Sequence, residues 1–323
     1  DRVTFLDLPS ANMKKEAVNV CILKDEFGVD NTKLLERIKN EWKLEAQLEN
    51  EIYFYNVEEI YEIIHNNKCF VIGRKGAGKT AIAKHLLNMN RFDTYTENID
   101  FKNFPFNDIY QYYDSSFTYF NQYITIWKFI IYGSILRMMS LNERLDGRLL
   151  KSLREAFPID SIDAFDRKFH NLTKTRFKIK FEPFSLDVDN QDIKEEGFAK
   201  TVSEQCRIFE DIIFHHIDNS KYFIIMDALD DDFNAYPSRE HYISLLTSLF
   251  KAVQEIKGKF LNKRFQILPV IFLRDDIYHQ INYSEKTKWQ DLSVNLSWSE
   301  IKIKKMLAYR VMKSINPDLK ALD

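Results

Sequence analysis

Gly73-Arg74-Lys75-Gly76-Ala77-Gly78-Lys79-Thr80 fits the pattern G-x-x-x-x-G-K-[ST], a loop suited to holding phosphate. The run before it, Cys69-Phe70-Val71-Ile72, is short and apolar and reads as a buried strand. The run after it, Ala81-Ile82-Ala83-Lys84-His85-Leu86-Leu87, has helical spacing. The chain holds eight glycines and three of them fall within residues 73–78, so the cluster belongs to the motif and not to a glycine-rich background. Glycine lets the backbone turn on itself and approach a polyphosphate without a Cβ in the way. Successive N–H groups then form an anion nest, and a helix beginning near Gly78 adds the positive end of its dipole. In such a loop Lys79 reaches the β- and γ-phosphates and Thr80 Oγ ligands Mg2+. Gly73, Arg74, Lys75, Gly76, Ala77, Gly78 and Ala81 complete the nucleotide cradle. A plain glycine turn with an exposed lysine accounts for each feature singly, but not for strand, loop and helix in this order.

A phosphate loop of this kind needs an acid for its metal. Tyr222-Phe223-Ile224-Ile225-Met226 is a fully apolar strand that ends in Asp227, followed by Ala228-Leu229-Asp230-Asp231. A carboxylate at the C-terminal end of a parallel strand faces the crevice where phosphates bind. Asp227 is therefore the expected Mg2+ partner, directly or through water. Hydrolysis also needs a group to orient water. The next position is Ala228, which cannot do so, and Asp230 and Asp231 are the nearest substitutes. Either they polarise water or they cap the following helix. A second apolar strand, Val270-Ile271-Phe272-Leu273, ends in Arg274. There the guanidinium either senses the γ-phosphate and stabilises transition-state charge, or pairs with Asp275 or Asp230. Arg310 is a weaker candidate for an arginine in a lid.

Composition sets broader limits. The 323 residues carry a net charge of −2, which leaves no chain-wide electrostatic footprint for nucleic acid. Cys21, Cys69 and Cys206 are scattered, without metal spacing, as expected in a reducing, cytoplasmic setting. No signal peptide is expected. The most membrane-like stretch, Tyr123–Met139, is short and carries Lys128 and Arg137, so it reads as a buried helix. The seven histidines form no ligand pattern. The chain opens on Asp1 and is expected to be a segment of a longer protein.

Strands alternating with helices after the loop predict an α/β fold, a parallel sheet covered by helices on both faces. Helices are expected over Asp30–Asn50, with Leu34, Leu35, Ile38, Trp42 and Leu44 on one side, over Val57–Ile64, and over Tyr123–Leu141, Phe198–Ile217 and His241–Ile256. A turn is expected at Asn66-Asn67 and a second strand over Thr94–Phe101. Residues 142–172 read as helical, charged and exposed. Alternation over Arg176–Val188 predicts an inserted hairpin. Pro269 is tolerable only at the start or edge of its strand, and Ser297-x-x-Glu300 reads as a capping box opening the last helix. Tyr53, Phe54 and Tyr55 suit packing better than stacking on a base. The expected organisation is a helical segment over residues 1–60, a nucleotide-binding core over 61–296, and the start of a lid or winged-helix element over 297–323.

With these residues in place, the chain resembles the bacterial P-loop ATPases of the KAP and STAND divisions of the AAA+-like class. The likeness rests on Phe70–Ala81, on Asp227-Ala228-Leu229-Asp230-Asp231 as a D-x-L-D motif, and on Phe272-Leu273-Arg274-Asp275-Asp276-Ile277 as an F-L-R-x-D-I strand end. Leu296 to Arg310 resembles the element that leads into their lid. The resemblance covers roughly residues 50 to 311, and the loop is its one specific motif. It implies sheet order 5-1-4-3-2, ATP and Mg2+ as cofactors, and a lid that this chain only begins. It implies an ATP-driven switch controlling a fused or partner effector, in many relatives in antiviral defence. Homo-oligomers are compatible with it. Ala228 departs from it, since KAP-type members often carry a second Asp there.

Two functions follow: a hydrolysing switch, and a nucleotide-binding regulatory or scaffold module with little turnover. A GTPase would need N-K-x-D, and a transporter ATPase an L-S-G-G-Q-like signature. Neither stands in the chain. A small-molecule kinase lacks a recognisable acceptor site.

Overall fold

The computed structural model describes residues 31–43, 51–89, 91–100, 119–157, 180–181, 184–185, 198–230, 239–260 and 266–318. Five strands form one all-parallel sheet: β1 (Phe70–Gly73), β2 (Thr94–Asp100), β3 (Lys221–Asp227), β4 (Gln266–Arg274) and β5 (Ser293–Leu296). Their spatial order is β5-β1-β4-β3-β2, the expected 5-1-4-3-2. The helices, in chain order, are α1 (Asn31–Glu41), α2 (Glu58–His65), α3 (Lys79–Leu87), α4 (Tyr119–Ser140), α5 (Gly147–Ala156), α6 (Phe198–His216), α7 (Arg239–Phe260), α8 (Asp275–Gln280), α9 (Thr287–Gln290) and α10 (Glu300–Ile315).

The chain divides into two compact units. The larger, residues 61–296, holds the sheet. Strand β3 decides its register, because Tyr222, Phe223, Ile224, Ile225 and Met226 are all fully buried. Burying each large apolar side chain contributes about 1.5–3 kcal/mol. Side chains alternate along a strand. Tyr222, Ile224 and Met226 join the core built by α4, α6 and α7. Phe223 and Ile225 lie on the opposite face, where α3 packs on β3. Helix α4 is buried nearly all round, through Trp127, Phe129, Ile130, Ile131, Ile135 and Leu136, as a helix apolar on every side must be. Trp127 donates its indole N–H to Leu245 O and Ser248 Oγ, both at 3.1 Å, on α7. The polar residues that interrupt α4 are paired: Lys128 with Glu255 at 2.6 Å and Arg137 Nε with Glu97 at 2.9 Å. Among the described residues no helix is long and apolar enough to cross a membrane.

Four sequence expectations change. Residues 142–172 are not simply exposed: Leu149 and Leu153 of α5 are fully buried, and Asp146 caps that helix through Arg148 N at 2.9 Å; residues 158–172 lie outside the described residues. Pro269 stands inside a central strand, opposite Ile224. Backbone donors alternate between neighbours along a parallel strand. Ile271 N bonds Cys69 O at 2.7 Å, so the missing N–H of Pro269, two residues earlier, faces the β1 side before β1 begins. The strand is central, but its edge is local there. Helix α10 is capped by Ser299, which accepts from Lys302 N at 3.2 Å, and not by Ser297; Glu300 pairs instead with Lys304. Strand β5 was not legible as a separate run. The expected hairpin is present as a short antiparallel ladder, Lys180–Phe181 against Phe184–Ser185, and Asn67 takes the left-handed turn conformation, φ 56°.

Of the described residues, the smaller unit combines 31–43 and 51–60 with 297–318, so stretches far apart in sequence share one body. Leu34, Ile38 and Trp42 of α1 and its following turn cluster with Tyr53, and Leu307 and Val311 of α10 pack on them. Trp42 donates to Ser314 Oγ at 3.0 Å, and the Arg310 guanidinium lies 4.8 Å from the Trp42 ring centre. Arg310 is thereby part of this cluster. Tyr53, buried, donates its hydroxyl to Glu41, and Tyr55 meets Tyr309 edge-on, which makes both packing residues. Leu44 lies outside the described residues.

Candidate functional site

The site forms where β1, β3 and β4 end, three neighbouring strands whose C-terminal ends point the same way. Strand β1 runs to Gly73. A Cβ there would lie 3.0 Å from Leu296 O and 3.1 Å from Leu296 Cβ, so glycine is what lets β5 pass. The chain then turns through Arg74, Lys75 and Gly76, all exposed, with Ala77 N bonded to Arg74 O at 3.1 Å. Gly76 (φ 81°) and Gly78 (φ 95°) are both left-handed, a backbone that L side chains adopt only with strain. Gly78 is the N-cap of α3, and no side chain caps that end. The first N–H groups of α3 are therefore left to whatever the loop faces.

Lys79 is buried at the start of α3, and its Nζ donates to Gly73 O and Arg74 O, both at 3.2 Å. Burial pushes its pKa down, while Asp230 and then Asp227 act in the opposite direction. Asp230 is thus the strongest acidic neighbour of the lysine. Thr80 and Ala81 follow on the first turn, half-buried. Burial raises the Asp227 carboxyl. The Ala228 backbone N–H and the Thr80 hydroxyl both act to keep it charged. Ala228, immediately after it, has φ 61°, a left-handed conformation unusual outside glycine. Leu229, fully buried, anchors the turn, and its carbonyl accepts from the Tyr242 hydroxyl.

Arg274 ends β4 and is the N-cap of α8. Of its two expected ion-pair partners, Asp230 lies 3.8 Å away. The stronger partner is Asp276, which accepts from Nε at 2.9 Å and from Nη2 at 2.6 Å. Asp275 instead faces Arg74, at 3.8 Å. Asp276 was quoted in the sequence motif without a role. The signal was present: an acid two residues after a strand-ending arginine, at a helix start, can reach back to it.

The structure therefore brings together Lys79, Thr80, Asp227, Asp230 and Arg274, drawn from three separate stretches of chain. Asp231 lies outside the described residues. Among the described residues no three His, Cys, Asp or Glu side chains gather as a metal cage. Mg2+ in nucleotide sites is held through one or two protein oxygens plus phosphates and water. Thr80 and Asp227 fit that use. No family model, curated protein or solved structure compared with the chain matches it.

Proposed function

We propose that this chain is a P-loop ATPase that works as a nucleotide-driven switch, resembling the KAP and STAND divisions in design. The observation that carries the proposal is the meeting of Lys79, Asp227, Asp230 and Arg274 beside a loop with two left-handed glycines, at the ends of adjacent parallel strands.

Each residue has a part. The N–H groups of the loop from Gly73 to Ala81, other than that of Ala77, supply an anion nest, since Gly76 and Gly78 turn the backbone without side chains in the way. Lys79 carries a buried charge next to that nest, so phosphate binding needs little rearrangement of the ammonium. Thr80 and Asp227 are the Mg2+ partners. When bound, Mg2+ neutralises phosphate charge and orients the terminal phosphate. Asp230, the acid that acts most on the Lys79 charge, is the residue we assign to orienting water, in place of Ala228. Arg274 supplies positive charge 3.8 Å from Asp230.

The second reading, a binding module with little turnover, is favoured by Ala228 alone. The two separate in one experiment. ATP affinity and phosphate release are measured with Mg2+ for wild type, Lys79→Ala and Asp230→Ala. The switch predicts turnover lost in both variants, with ATP still bound by Asp230→Ala. Tight binding without wild-type turnover selects the module.

A further inference from the structure

The acid Asp276 does something specific to Arg274. A guanidinium has five N–H donors in a rigid plane. Asp276 accepts two of them, from Nε and Nη2, in a fork whose geometry fixes the plane of the group and not merely its charge. The remaining donors, those of Nη1 and one of Nη2, have no hydrogen-bond partner among the described residues. Asp230 lies at ion-pair distance from Nε, 3.8 Å, too far to compete with the fork. Asp276 is itself fixed, because its backbone N–H bonds Asp275 Oδ1 at 2.8 Å at the start of α8. The side chain of Asp276 is half exposed, 52%, whereas that of Arg274 is 23% exposed. An exposed ion pair of this kind contributes little to stability, so orientation is the more telling consequence of the fork.

We infer that Asp276 is a positioning residue: it fixes the plane of the Arg274 guanidinium beside Asp230 and leaves the donors of Nη1 and one of Nη2 for a bound phosphate. This rests on the ATPase reading above and adds to it a residue that acts through another. Without the fork, Arg274 keeps its charge but swings toward Asp230, which would neutralise the residue assigned to water.

The test is steady-state ATP hydrolysis with parallel ATP titration for wild type, Asp276→Asn, Asp276→Glu, Arg274→Gln and the double variant Asp276→Asn/Arg274→Gln, each checked by thermal melting. Asp276→Asn is expected to lower kcat by about 10- to 100-fold, the range for groups that orient a reacting-site residue. KM and ATP affinity stay within about threefold, since ground-state phosphate binding is carried by the loop. Asp276→Glu recovers a measurable part of kcat. The double variant is no slower than Arg274→Gln, as residues acting as one unit are non-additive. Wild-type turnover that Asp276→Asn leaves unchanged, or equal losses that add in the double variant, overturns the inference and leaves the ATPase reading standing. A wild type that binds ATP without turnover, or does not bind it, overturns both.

Discussion

The ammonium of Lys79 lies 3.2 Å from the carbonyl oxygen of Gly73, so the first residue of α3 is tied back to the last residue of β1. Its second bond, to Arg74 O, is equally long. Neither partner is charged, and Asp230 and Asp227 act on the ammonium through their charge. On the proposed reading a phosphate oxygen replaces these long bonds, because an anionic acceptor adds a charge–charge attraction that a neutral carbonyl lacks. Lys79→Ala is therefore expected to weaken ATP binding by about 10- to 100-fold, the equivalent of one charge-assisted bond, while the melting temperature stays within a few degrees. Isothermal titration and thermal melting check the two parts separately.

Asp227 pays for its position. Burial raises its carboxyl above the ordinary range, so the ionised form costs stability. The sign follows from linkage: with the folded pKa above the unfolded value of about 3.9, the folded state binds the proton more tightly, and stability falls as pH rises through that window. Asp227→Asn should make the nucleotide-free protein more stable at pH 7, by on the order of 1 kcal/mol, with the gain shrinking toward pH 4. The same variant should lose Mg2+-dependent turnover. Melting curves at both pH values decide it, and a variant less stable than wild type at pH 7 contradicts the account.

Asp218 is the opposite case. It precedes β3 and accepts from Ser220 Oγ at 2.7 Å and Tyr222 Oη at 3.0 Å, with Asn142 Nδ2 bonded to Tyr222 Oη at 2.7 Å. Burial raises its carboxyl, but the bonds from Ser220, Asn142 and Tyr222 together outweigh burial and hold it below the usual range. Its stabilisation is present above the unfolded pKa and is lost as pH falls through the folded one. Asp218→Ala is expected to cost about 1–3 kcal/mol at pH 7 by leaving buried donors without a partner, and less below pH 4. Urea unfolding at pH 7 and pH 3.5 measures the difference.

Gly73 and Ala228 place opposite demands on side-chain size and backbone. Gly73→Ala puts a methyl 3.0 Å from Leu296 O and must push β5 aside, at a cost of about 1–3 kcal/mol. Ala228, left-handed at φ 61°, tolerates Asp, a residue that visits this region, and rejects Val, for which the conformation is a genuine outlier. Ala228→Asp should melt within a few degrees of wild type and Ala228→Val well below it. Equal melting temperatures for the two would argue against the turn.

Much of this architecture could be read from residue types. The all-apolar run 222–226 is short, β-rich and ends in an acid, so it reads as a strand buried on both faces, and the glycine loop after Phe70-Val71-Ile72 ties strand to helix, so the parallel sheet and the crevice at its strand ends follow. Strand β5 escaped because Ser293-Val294-Asn295-Leu296 is short and half-polar, and it pairs only with β1 at the sheet edge. The joining of α1 to α10 through Trp42, Tyr53 and Ser314 also escaped, since no local pattern encodes contacts between residues more than two hundred positions apart. Arg274 was legible as a charged strand end. Its attachment to Asp276 and not to Asp275 was decided by the first turn of α8, which sets which of two adjacent acids reaches back.

The most direct measurement is phosphate release by the wild type with ATP and Mg2+, beside ATP titration of wild type and Lys79→Ala. The account predicts saturable ATP binding that Lys79→Ala largely removes, with Mg2+-dependent release of phosphate abolished in the same variant. ATP that fails to bind the wild type, or binds both proteins equally, would contradict the reading of residues 73–80 as a nucleotide loop, and with it the central claim.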